Sequence, residues 1–155
     1  MEKPLINNDF VRLLVQDGKL EAVVPNPREA AGWLKDAQTH LLSCKLIAES
    51  DPKLAYDALH SAVRKSMAAL LLAQGLRPTR AGGHEVVIDA INAQASEEFK
   101  EVLRPARRIK RKRHLGDYGD SSSVLTPKMV LADLQDGQKI VDYVARILPL
   151  QAPWA

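Results

Sequence analysis

The 155-residue chain predicts an all-α fold, an up-and-down helical bundle. Three observations predict it. Apolar residues recur with a period near 3.6 along almost the whole chain. Three segments open with one start chemistry, a capping polar residue followed by proline, at Asn26-Pro27, Asp51-Pro52 and Thr126-Pro127. Short connections between long helices then make sequential neighbours antiparallel. Strand-like alternation shows only in the stretch 20–24, Leu-Glu-Ala-Val-Val.

In chain order, a short helix is expected over 8–16, closed by Gly18. The next starts at Asn26, with Glu29 in its first turn, and runs to about Glu49. Ala30, Trp33, Leu34, Ala37, Leu41, Cys44 and Ala48 form one stripe on it. From Asp51-Pro52 a third helix carries Ala55, Leu59, Ala62, Val63, Met67, Leu70 and Leu71 to a stop at Gly75. A loop over 75–83 precedes a shorter helix with Val87, Ile88, Ile91 and Ala95 inward. Ser96 caps the next helix, whose apolar residues are Phe99, Val102, Leu103, Ala106 and Ile109, and Pro105 inside it predicts a kink or a restart. After a turn over 115–123, Thr126-Pro127 opens a last helix with Val130, Leu131, Leu134, Val141, Val144, Ala145 and Leu148. The organisation expected is a lead-in over 1–25, a bundle over 26–149 and a tail over 150–155.

Composition sets bounds. With 46% hydrophobic and 26% charged residues the chain is an ordinary globular one, long enough to bury roughly two-thirds of its unfolded surface. The single cysteine, Cys44, cannot build a disulfide framework and reads as a small core residue in a reducing compartment. Neither a signal-peptide pattern nor an apolar run of membrane-spanning length is visible, so a cytoplasmic protein is expected.

Charge is distributed unevenly. The stretch 104–120 reads Arg-Pro-Ala-Arg-Arg-Ile-Lys-Arg-Lys-Arg-His-Leu-Gly-Asp-Tyr-Gly-Asp. Arg104, Arg107, Arg108, Lys110, Arg111, Lys112 and Arg113 supply +7 in a chain whose total is +3, so the remainder carries the difference, −4. A basic stripe on an acidic body is an electrostatic footprint for phosphates or for an acidic protein. A solvated helix face is the plainer reading of the same charges. Aromatic residues, 5% of the chain, do not interleave with the run, so nucleic-acid binding here would rest on backbone phosphates and be sensitive to salt.

Several familiar sites are missing from the sequence: a P-loop, a Gly-x-Gly-x-x-Gly turn after a strand, paired cysteine ligands and a helical His-Glu-x-x-His. His40, His60, His84 and His114 fall on separate elements, and no metal or cofactor is expected from them. His40 and His60 read as satisfied interface or surface residues. Gly82 and Gly83 shape a tight turn, and Arg77, Arg80 and His84 around it are a weaker anion-site candidate without the lysine or serine of a phosphate cradle.

Three stretches in this order resemble one family. They are 31–41, Ala-Gly-Trp-Leu-Lys-Asp-Ala-Gln-Thr-His-Leu; 55–75, Ala-Tyr-Asp-Ala-Leu-His-Ser-Ala-Val-Arg-Lys-Ser-Met-Ala-Ala-Leu-Leu-Leu-Ala-Gln-Gly; and 113–120, Arg-His-Leu-Gly-Asp-Tyr-Gly-Asp, followed by a capped helix. Together they resemble the HEPN superfamily, small helical bundles of prokaryotic toxin-antitoxin and defence loci, over residues 27–149. The resemblance implies metal-independent RNA cleavage or RNA or nucleotide binding at the motif turn. In nuclease members a 2′-hydroxyl attacks the adjacent phosphate while an arginine stabilises charge and a histidine moves protons.

Two registers of that motif fit. Placing its arginine at Arg113, with polar His114 next, puts Tyr118 where the histidine belongs. Placing it at Arg108 or Arg107 makes His114 the motif histidine. The first register is preferred, because it sets Gly-Asp-Tyr-Gly-Asp where the family turns into its last helix. Arg113, His114 and Tyr118 are then the implied catalytic residues, with Arg104, Arg107, Arg108, Lys110, Arg111 and Lys112 binding phosphate. A tyrosine, with a pKa near 10, offers its basic form about a thousandfold less often at neutral pH than a base needs. The same resemblance implies a homodimer with the motif turns facing one cleft. It equally implies a non-catalytic module that pairs with a minimal nucleotidyltransferase, which can adenylylate a motif tyrosine, or that docks an acidic protein through the basic helix.

Overall fold

Every proline-marked start opens a helix in the computed structural model, which describes residues 2–6, 8–118 and 124–155, with 115–118 as backbone only. The order is α1 (Asp9–Gln16), β1 (Leu20–Ala22), α2 (Pro27–Ile47), α3 (Pro52–Gln74), β2 (Leu76–Pro78), α4 (Gly83–Gln94), α5 (Glu97–Leu103), α6 (Ala106–Tyr118) and α7 (Pro127–Ile147), with a short 3-10 turn at Leu148–Leu150. Capping side chains accept the first free amides as expected: Asn26 from Glu29 N at 3.0 Å, Asp51 from Leu54 N at 3.1 Å and Thr126 from Met129 N at 3.2 Å.

The core is built around α3. Its expected stripe is buried, and so are Tyr56, His60, Ser66 and the run 69–74, because α2, α4, α6 and α7 all pack against it. Antiparallel pairing of α2 with α3 brings Asn26 N to Leu72 O at 3.3 Å. Ala30, Ala37, Leu41 and Cys44 face α3 from α2, and burial pushes the Cys44 thiol up to about 11, as suits a core residue. On α7, Gly137 lies so close to Leu59 that a β-carbon there would run into Leu59 Cδ1. Gly75 ends α3 at φ +87°, a left-handed cap pressed under Val23 O, where a β-carbon would sit 2.8 Å away.

Three expectations change, and the choice at Pro105 between a kink and a restart is decided. The loop over 75–83 contains β2, which pairs antiparallel with β1 in the register Leu20↔Pro78, Glu21↔Arg77, Ala22↔Leu76. Three residues are too few to show alternation, so only β1 was visible in sequence. Pro105 divides the fifth helix: α5 stops at Leu103 and α6 restarts at Ala106, the restart that a missing amide imposes. Residues 115–118, expected in a turn, are helical, since α6 runs to Tyr118. Gly116 costs a helix only about 1 kcal/mol relative to alanine. On α7 the buried set also includes Ile140, Tyr143 and Ile147, while Ala145 is half-buried. Phe99 of α5 stacks on Tyr143, ring centroids 4.5 Å apart, which covers a second side of α7.

The lead-in and tail are built into the bundle. Asn8 Nδ2 donates to Ala93 O, Leu5 N donates to Gln151 Oε1 at 3.2 Å, and Trp154 N donates to Gln74 O at 3.0 Å. No described helix is long and apolar enough to cross a membrane.

Candidate functional site

The basic run lies on α6, preceded by Arg104 at the end of α5. Among its described residues α6 buries Ala106 and Ile109, too little apolar surface to dock a helix of thirteen residues. Charge docks it instead. Carboxylates of three other helices, Asp57, Glu85, Asp89, Asp133 and Asp136, gather against this one element.

Three faces of α6 meet three neighbours. Toward α4, Arg107 pairs with Glu85 at 2.6 Å and with Asp89, and Lys110 Nζ reaches Glu85 at 2.6 Å. Toward α7, Arg108 pairs with Asp133 at 3.0 Å and Asp136 at 2.7 Å, and Lys112 Nζ meets Asp133 at 2.8 Å. Toward α3, Arg113 Nε donates to Asp57 at 3.3 Å. Arg104 pairs with Glu101 one turn back at 2.6 Å. Arg111 is exposed and has no ion pair among the described residues.

Most of these pairs are half exposed, and such pairs contribute about 0–1 kcal/mol each. Asp133 differs. It is buried, and besides Arg108 and Lys112 it accepts a 2.8 Å hydrogen bond from the buried Tyr56 hydroxyl. Burial would raise its carboxyl, but the bonds from Lys112 and Tyr56 and the charges of Lys112 and Arg108 outweigh it and hold the carboxyl below its ordinary 3.8. Tyr56 is pushed far upward, first by burial and then by Asp133, so it remains a phenol. On the other side the hydrogen bond from Lys110 holds Glu85 below its usual range against the opposing effect of burial.

Two concavities adjoin this helix. A cleft of about 380 Å³ between α4 and α6 is lined by Glu85, Arg107, Lys110, Arg111 and His114. The four α6 residues are spaced i, i+3, i+4, i+7, so they form one face. A narrow crevice of about 10 Å³ lies beside it, lined by His60, Arg64, His84 and Lys110 with apolar Val63, Met67, Val87, Ile88 and Ala106. Lys110 borders both.

His60 forms the buried floor of the crevice, and the exposed His84 stands edge-on to it with ring centroids 6.4 Å apart. Burial first, then the charges of Arg113 and Arg64, lowers His60 to about 4, so it is neutral at pH 7. His84 is lowered from its ordinary value by desolvation, then by Arg64, Lys110 and Arg113. Arg64 is half-buried and makes no ion pair among the described residues. Burial and Arg113 lower its pKa too.

The structure thus brings some expected site residues together and parts others. Arg107, Lys110, Arg111 and His114 share the cleft, while Arg108 and Lys112 turn away to Asp133. Arg113 and His114, adjacent on a helix, project about 100° apart, one to Asp57 and one into the cleft. The side chain of Tyr118 and all of 119–123 lie outside the described residues. The anion-site candidate of the 75–83 segment divides: Arg77 pairs with Glu21 across the ribbon, Arg80 is exposed, and His84 joins the crevice. Thr79 Oγ1 takes the Gly82 amide at 3.3 Å, as a turn does. His40 sits 2.9 Å from Lys65 Nζ between α2 and α3.

Sequence reasoning passed over Asp57, Arg64 and the pairing of His60 with His84. A signal was present, since Asp57, His60 and Arg64 are spaced i, i+3, i+7 and put three polar groups on one face of an otherwise apolar helix. Among the described residues, no three His, Cys, Asp or Glu side chains gather as metal ligands would. No protein-family model, curated protein or solved structure matches the chain.

Proposed function

We propose that this chain is a HEPN-like domain of a toxin-antitoxin or defence-type system that binds RNA or nucleotide phosphates along the cleft between α4 and α6. One observation carries the reading: Arg107, Lys110, Arg111 and His114 recur on a single helix face and line one open concavity. Cations repeated about 5–6 Å apart suit successive phosphates of a single strand, and the absence of aromatics there suits sequence-independent contact. Arg111, exposed and without a carboxylate among the described residues, is the cation best placed to meet a phosphate.

In this reading the domain is a homodimer whose two α6 ends face one cleft. Cleavage, where it occurs, uses Arg107 as the charge-stabilising group and His114 as the proton carrier, because these two share the cleft and Arg113 is turned to Asp57. A second reading, the non-catalytic module that serves a nucleotidyltransferase partner, is favoured by the same divergence of Arg113 from His114. The carboxylates that already meet most of these cations count against docking of an acidic protein and against phosphate contact alike, so salt-dependent RNA affinity separates the two readings.

The test is binding of a single-stranded oligoribonucleotide at several salt concentrations. Three phosphate contacts predict a slope of about −2 in log affinity against log salt. Arg111→Glu should weaken binding about tenfold without unfolding the protein. Unchanged affinity in that variant, or a flat salt dependence, overturns the reading. Cleavage that persists in EDTA and disappears in His114→Ala separates the nuclease from the partner module.

A further inference from the structure

The crevice beside the cleft holds the one half-buried arginine of the α3–α6 interface without a carboxylate among the described residues. We propose that Arg64, His60, His84 and Lys110 form a subsite for a terminal phosphate, the phosphomonoester end of an RNA strand or of a nucleotide. It rests on the cleft reading only in that Lys110 borders both spaces.

The charges point to this ligand. Lys110 is balanced by Glu85 and Arg113 by Asp57, leaving Arg64 beside two imidazoles as a cation with no carboxylate among the described residues. A carboxylate or a phosphodiester carries one charge and Arg64 alone would match it. A phosphomonoester carries close to two at pH 7 and needs one more positive charge, which a histidine supplies by taking up a proton. His60 and His84 are the groups able to do so, and the charges facing them are Arg64 on their α3 side and Lys110 and Arg113 on α6, with Asp57 and Glu85 behind these cations.

At about 10 Å³ the crevice now has room for one water, so a ligand must push aside the side chains at its mouth. Lys110 and Arg64 are long and flexible and His84 is exposed, whereas the apolar lining residues Val63, Met67 and Val87 are buried.

The experiment uses the full chain and inorganic phosphate at constant ionic strength. Imidazole resonances of His60 and His84 are followed by NMR, and proton uptake by calorimetry in two buffers of different ionisation enthalpy. The expected result at pH 7 is a net uptake of about half a proton per phosphate, one taken by a histidine less the part that the monoanion fraction of inorganic phosphate gives up on binding as the dianion, and a rise in the apparent pKa of one of the two histidines. Arg64→Gln should weaken phosphate binding about tenfold while thermal unfolding is unchanged, because no internal ion pair among the described residues is lost. Histidine signals indifferent to saturating phosphate, binding without proton uptake, or an unaffected Arg64→Gln variant each overturn the proposal. 5′-phosphorylated RNA, the same RNA with a 5′-hydroxyl, and a nucleoside monophosphate then identify the source. A tenfold gain for the phosphorylated strand assigns a strand end, equal binding by the monophosphate assigns a nucleotide, and no gain for either overturns the terminal-phosphate assignment. Proton uptake with phosphate in a protein that ignores RNA defeats the cleft reading and leaves the crevice standing. Salt-dependent RNA binding with no response of either His60 or His84 to phosphate does the reverse.

Discussion

The α2–α3–α7 core and helix α6 are held by different physics. Leu59, Val63 and Leu70 on α3, Leu41 on α2 and Ile140 and Val144 on α7 have their side chains almost wholly out of water, each worth roughly 1.5–3 kcal/mol. Helix α6 buries two apolar side chains among its described residues and leans on carboxylates of α3, α4 and α7. Apolar burial responds little to pH and to moderate concentrations of simple salt, whereas ion pairs are titrated by one and screened by the other. The helix that carries the candidate site is therefore the one whose attachment solution conditions can loosen, as is common for binding elements.

The largest test of this contrast is Leu59→Ala. The side chain is fully buried against α7, so unfolding in urea should show a loss of about 2–5 kcal/mol, nearly independent of salt. A small loss would mean that α7 collapses onto the gap and the core is softer than its packing suggests.

Asp133→Ala should come next, at about 3 kcal/mol, because it leaves Tyr56, Lys112 and Arg108 without their shared acceptor. Hydrogen exchange should show α6 losing protection before α2 and α3. Equal loss across all three helices would dissolve the distinction between core and clamped element.

Acid sharpens the comparison further. His60 has a folded pKa near 4, below the ordinary 6.5, so the unfolded chain binds the extra proton between these values. Stability is thus complete above pH 6.5 and declines as pH falls toward 4, by roughly 2–3 kcal/mol from this group. His60→Gln should flatten that window. Asp133, depressed in the fold, adds a separate loss that begins only as pH drops through its ordinary 3.8 and below. A stability profile flat from pH 6.5 to 4 in the parent protein would remove His60 from the account.

The smallest effect on stability should come from Arg111→Glu, within about 0.5 kcal/mol in thermal unfolding, though it is the variant expected to affect RNA most. Reversing Arg107, Arg108, Lys110 and Lys112 together is a poor probe of binding. It would set glutamates against Glu85, Asp89, Asp133 and Asp136 and release α6 from the bundle.

Much of the helix layout was legible without coordinates. Asn26-Pro27, Asp51-Pro52 and Thr126-Pro127 act within a few residues, through one side-chain oxygen and one missing amide, so their outcome does not depend on distant partners. Pro105 and Gly75 are local in the same sense. The basic run was equally plain as composition. What it touches was not, because Glu85, Asp89, Asp133 and Asp136 lie 18 to 28 residues away along the chain from their partners on α6. Only packing of α4 and α7 on either side of α6 converts a free-looking stripe into a neutralised clamp with Arg111 left over. Likewise His60 and His84 read as unrelated histidines on separate helices until α3 and α4 close on each other. Local geometry wrote the helices, and long-range burial, which sets both the dielectric around a charge and the counterion beside it, decided which of the charged groups remain for a ligand.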